Sequence, residues 1–158
     1  MPRPGMSEPA ATDTAWADMA GQSVPGRSFE DFFGIWDVRR TIVDRLAKAI
    51  YRFEGSSTVS RSAYVETGMV HWGATSLKGE RSYGLRAANG GLDILFPDGR
   101  LFVTIGDGPV QSVYHLCGDD QYAGRFYFEA DGGWAEAWRV KGPRKNYASL
   151  ARYRRSAA

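Results

Sequence analysis

Asp31-Phe32-Phe33-Gly34-Ile35-Trp36 marks the point where this chain changes character. Before it the sequence is rich in Pro, Ala, Ser and Gly. After it, apolar and polar residues alternate almost to the C-terminus. The Gly-x-Trp step opens the first such run, and Trp36, Val38, Arg40 and Ile42 then fall on one face, the two-residue period of a strand.

The same period recurs along the chain. Phe53, Gly55, Ser57 and Val59 share a face, as do Tyr64, Glu66 and Gly68, and then Arg81, Tyr83 and Leu85. Ile94 and Phe96 precede Asp98-Gly99, a hairpin signal, with Leu101, Phe102 and Val103 beyond it. Further runs lie near residues 112–117, 122–129, 134–140 and 147–155, and Asp131-Gly132-Gly133 marks a second hairpin. The pattern predicts an all-β, antiparallel barrel of about nine strands with short turns. No helical period separates the runs, which argues against a βαβ architecture. Gly34, Gly55 and Gly68 allow the sharp bending that closure requires. Ser28 to Phe33 reads as one turn of helix, closing one end. Residues 1–27 read as a flexible or loosely docked tail, in which Ala11 to Ala20 could form a short helix. Residues 28–158 read as a single barrel domain.

Composition narrows the function classes. Twenty basic and eighteen acidic residues leave a net charge of +2, too small to imply nucleic acid or an anionic membrane. The single cysteine, Cys117, forms no internal disulfide, and a cytoplasmic setting is expected. Glu8, Asp13 and Asp18 interrupt any signal-peptide core, and no run reaches transmembrane length.

The Gly34-x-Trp36 step resembles the opening of lipocalin and wider calycin barrels. Several longer stretches resemble one uncharacterised bacterial and fungal family of calycin-like barrels, a domain of unknown function. They include Tyr64-Val65-Glu66-Thr67-Gly68 and Phe96-Pro97-Asp98-Gly99-Arg100-Leu101-Phe102. The most distinctive are His115-Leu116-Cys117-Gly118-Asp119-Asp120-Gln121-Tyr122 and the block from Trp138 to Tyr147. The resemblance runs from about Phe33 to Arg154. It implies the fold and no activity. It also implies that Trp36 packs across a closed end beneath an arginine of the last strand, Arg152 or Arg154.

Three constellations carry candidate chemistry. His115, Cys117 and Asp119 alternate on one run, and a continuous strand would align them. A metal site and a Cys–His nucleophile both lack further partners, so no metal and no cofactor is expected; His115 could still act as an acid or base with Asp120 and Tyr122. Arg40, Glu66, Arg81 and Tyr83 form the second, either an internal ion-pair network or a clamp for an anion. Lys145 and Tyr147 form the third, beside the Gly142-Pro143-Arg144 turn, either a solvated tip or a basic rim.

The reading is a barrel that binds a small, partly apolar, acidic molecule. Tyr64, Tyr83, Phe102 and Trp138 would provide the apolar wall. Arg40, Arg81 or Lys145 would orient the acidic group, with Glu66 and Tyr147 nearby. The alternatives are a small cofactor-independent isomerase, cyclase or hydrolase using His115, Asp120 and Tyr122, and a packed protein-interaction module. No membrane partner is expected. Arg152-Tyr153-Arg154-Arg155 does not by itself make a nucleic-acid site.

Overall fold

A computed structural model describes residues 29–88 and 90–157. The 1–27 tail therefore lies outside the described residues. The helical turn is present as a 3₁₀ turn, Phe29–Phe32. Ten strands follow rather than about nine: β1 Gly34–Asp44, β2 Ala49–Val59, β3 Ala63–Trp72, β4 Thr75–Ala88, β5 Gly91–Leu95, β6 Leu101–Ile105, β7 Val110–Cys117, β8 Asp120–Phe128, β9 Trp134–Gly142 and β10 Lys145–Arg155. β5 and β6 each have only five residues, yet each pairs as a strand in its own right.

Every ladder is antiparallel, and the first strand pairs with the last, Trp36 opposite Arg155 and Asp44 opposite Tyr147. That pairing bends the meander into a nearly closed barrel, ordered β6-β5-β4-β3-β2-β1-β10-β9-β8-β7. The break falls between β6 and β7, which are consecutive in sequence but share no ladder. β4 is also longer than its neighbour: only its residues 84–88 pair with β5, so 75–83 outrun the short β5–β6 hairpin.

Inward residues follow the alternation. Trp36, Val38 and Arg40 of β1, Tyr64 and Glu66 of β3, and Trp134, Glu136, Trp138 and Val140 of β9 are all buried. Gly55 and Gly68 face each other, and a Cβ on either would meet the other's backbone and the Phe53 ring within 3 Å. These two glycines let β2 and β3 bend tightly around that ring.

One end is sealed. Trp36 is fully buried, donates its indole N–H to the Phe32 carbonyl (3.1 Å), and meets the Trp134 ring edge-on. The arginine over it is Arg155, 4.3 Å from the ring centroid, rather than Arg152 or Arg154. The register explains the correction. Arg155 lies opposite Trp36 and shares its inward parity, whereas the exposed Arg154 reaches Glu129 and Asp131 instead. Arg155 also donates to the Phe33 and Asp31 carbonyls, tying the helical turn to the barrel.

Candidate ligand-binding site

The middle of the barrel holds two arginines and two glutamates. Arg40 reaches both oxygens of Glu66, and its second nitrogen donates to Glu136 Oε1 (3.1 Å) and to the Tyr153 hydroxyl (2.8 Å). Arg81 bonds Glu136, approaches Glu66 with Nε (3.2 Å), and donates to the Tyr64 and Tyr153 hydroxyls. Tyr64 donates to Glu66, and Trp138 donates its indole N–H to Glu136 Oε2 (3.2 Å). Four strands deliver these groups at one height: β1, β3, β4 and β9, with Tyr153 added from β10.

The charges cancel. Burial alone would raise the Glu136 carboxyl, but Arg81 and Arg40 outweigh it and hold it down at about 2. Glu66 is lowered in the same way, against its own burial, by the bonds from Arg40 and the charge of Arg81. Burial pushes the Tyr64 and Tyr153 hydroxyls well up, so both stay neutral donors. A buried ion pair offsets its desolvation only when its geometry is saturated, and here each carboxylate has several donors. Such a network specifies one register of the barrel more than it adds stability.

Next to the network lies an aromatic compartment. It lines a partly open cavity of about 20 Å³, bounded by Tyr83, Leu85, Ile94, Phe102, Phe126 and Trp138, with Arg81 and Glu136 as its polar wall. That volume is about the room one water needs. Phe102 sets the limit. Its ring stacks on Trp138 (5.1 Å between centroids, 15° between planes) and on Tyr83 (5.8 Å, 20°). It is the residue skipped in the β5–β6 register, where Ile94 pairs with Val103 and Leu95 with Leu101. A bulge of this kind re-aims one side chain, here into the barrel.

The other sequence candidates separate into two groups. Arg40, Tyr64, Glu66, Arg81, Tyr83, Phe102 and Trp138 come together in the network and the compartment. His115 pairs with Tyr122 across β7–β8, its ring edge-on to Phe96 and Phe102 (5.3 Å each). Phe102 contacts both His115 and Trp138, and His115 is not among the residues that border the cavity. Lys145 donates to the Tyr122 hydroxyl (2.7 Å) and pairs with Asp120 (3.0 Å), which together raise its pKa. Tyr147 is half-buried on the same face of β10. His115, Cys117 and Asp119 do not align: β7 ends at the exposed Cys117, and Gly118 turns the chain at φ 59°. Asp120, not Asp119, enters β8 and shares a face with Tyr122.

Glu136, Tyr153, Phe126 and Trp134 complete the site without having been singled out from the sequence. The alternation Trp134-x-Glu136-x-Trp138 carried the signal, since one inward residue fixes the other two. Trp134 stacks flat on Tyr153 (3.5 Å, 5°), and its buried indole N–H has no hydrogen-bond partner among the described residues.

No described helix is long and apolar enough to cross a membrane. A search of curated proteins finds no match. Solved structures share the fold. An S-type phycobiliprotein lyase from Guillardia theta superposes with a TM-score of 0.59 over 90% of this chain and 97% of its own, at 13% identity. A protein of unknown function from the DUF3598 family of Nostoc punctiforme superposes with a TM-score of 0.53 over 85% of this chain, at 9% identity. The chain spans about half of that second protein, 51%. Residues 32–155, nearly the whole described barrel, match one family profile, and the chain belongs to that family: DUF6314, a family of unknown function.

Proposed function

We propose that this barrel binds a small, partly apolar molecule in its aromatic compartment. One observation carries the reading. The bulge places the Phe102 ring in stacking contact with Trp138, Tyr83 and Phe96, on a short hairpin whose far edge joins no ladder among the described residues. A ring or conjugated segment of a ligand stacks there once Phe102 swings aside, because stacked aromatic faces exchange one planar partner for another at little cost. The β6–β7 break supplies the path, since moving β6 outward breaks no ladder on that side.

The polar end of the ligand meets Arg81 and Glu136. Of the basic residues expected to orient an acidic group, Arg81 borders the cavity, and its side chain keeps 28% of its surface exposed. Arg40 is enclosed and saturated. The group recognised is therefore one that accepts from the guanidinium while tolerating a carboxylate beside it, such as a carboxylic acid or an amide. The fold shared with a phycobiliprotein lyase supports a small-molecule role. The reading of His115 as a catalytic acid or base has no comparable support, because His115 does not border the cavity.

The test is native mass spectrometry of the full chain purified from its own host, beside a Trp138→Ala variant. The expected result is a retained small molecule on the wild type, lost from the variant. An unliganded wild type that also fails to take up aromatic acids from a host extract would overturn the reading.

A further inference from the structure

The end of the barrel opposite Trp36 carries a feature that ligand binding does not explain. There the β1–β2 turn, the β3–β4 hairpin and the β9–β10 turn lie side by side, because β1 and β2, β3 and β4, and β9 and β10 are joined at that end. Leu46, Trp72 and Leu77 stand 57%, 54% and 64% exposed on the first two tips. Trp72 and Leu77 have inward parity, but β3 and β4 project past the short β5, which leaves both exposed among the described residues. Among the described residues, the aromatic neighbour of Trp72 is Tyr51, 5.7 Å between ring centroids.

Charge differs between the two ends. At the sealed end, Arg61 pairs with Glu30, and Arg154 with Glu129 and Asp131. At the open end Lys48, Lys78 and Arg144 are exposed and form no ion pair among the described residues. Acids stand at this end too: Asp120 pairs with Lys145, and Glu80 is exposed two residues from Lys78. Asp44 is engaged in its turn, accepting from the Leu46 and Ala47 backbone N–H groups, and Asp119 is exposed on the β7–β8 turn.

We infer that this rim docks on an anionic lipid surface. Aliphatic and indole side chains flanked by unpaired cations on projecting turns match an interface that is apolar beneath and negative above. Trp72 seats at headgroup depth, Leu46 and Leu77 enter the acyl boundary, and Lys48, Lys78 and Arg144 meet the headgroup phosphates. Single-stranded nucleic acid fits less well, because it requires successive aromatic platforms and two of the three exposed apolar groups here are leucines.

The experiment is sedimentation of the full chain with vesicles of phosphatidylcholine alone or with about a quarter phosphatidylglycerol. The expected result is partition onto the anionic vesicles only, weakened at least about tenfold both by Trp72→Ser with Leu77→Ser and by about 0.5 M salt. Ile35→Ser, exposed at the sealed end, should leave partition unchanged. Thermal melts confirm that each variant is folded; these side chains are exposed, so folding does not depend on them. Equal partition of the rim variant and wild type would overturn the inference. So would absence of vesicle binding, with or without binding to a single-stranded oligonucleotide.

Discussion

The two ends of this barrel solve one problem differently. At the Trp36 end, side chains seal the gap: a buried indole, a helical turn, and Arg155 tied to two backbone carbonyls. At the other end the strands have unequal lengths, β4 outruns β5 by residues 75–83, and apolar side chains stand in the open. Sealing an end with side chains yields stability, whereas leaving it ragged yields access and surface. The charged network sits between the two, with the aromatic compartment beside it and Phe32 and Trp134 of the sealed end on that compartment's wall.

Substitutions can break that comparison. Trp36→Ala removes a fully buried ring from the sealed end and should cost about 3–5 kcal/mol by denaturant unfolding; a loss under about 1 kcal/mol would mean the end is not sealed by that side chain. Acid acts on the network next. Glu136 titrates near 2 in the folded barrel against 4.5 for an unperturbed glutamate, so the folded pKa is depressed. Its stabilisation is complete above about pH 4.5 and is lost as pH falls toward 2, a contribution of about 3 kcal/mol. Wild-type melting temperature should fall across that window, and Glu136→Gln should flatten the slope while lowering stability at neutral pH. Arg155→Ala should cost about 1–2 kcal/mol, from the cation–π contact and the two carbonyl bonds, while Arg154→Ala, a surface pair, should cost less than about 1 kcal/mol. Trp72→Ser, at the open end, should change stability by no more than about 0.5 kcal/mol.

Particular residues show what alternation can and cannot reveal. The period of two placed Arg40, Glu66 and Arg81 on inward faces, and a buried charge demands a partner, so their meeting is readable from single strands. The same logic covers Glu136, flanked at two-residue spacing by Trp134 and Trp138. Arg155 is different. Choosing it over Arg152 or Arg154 requires the β1–β10 register, a contact across more than a hundred residues that no local pattern encodes. Phe102 is different again. Its inward aim comes from a bulge, which shifts the period by one, and a run as short as Leu101–Ile105 cannot display a shift. The overhang of β4 and the clustering of unpaired cations follow from strand lengths and topology, so a net charge of +2 conceals them.

The central claim is that the barrel opens at the β6–β7 break and not at the Trp36 end. Hydrogen exchange followed by mass spectrometry on the full chain tests it most directly, because local opening reports the free energy of each unit separately. The amides of β6, which joins a ladder on one side only, should exchange at least about tenfold faster than those of β1 and β10, which pair on both sides. Uniform protection of all ten strands, or faster exchange in β1 and β10, would contradict the account.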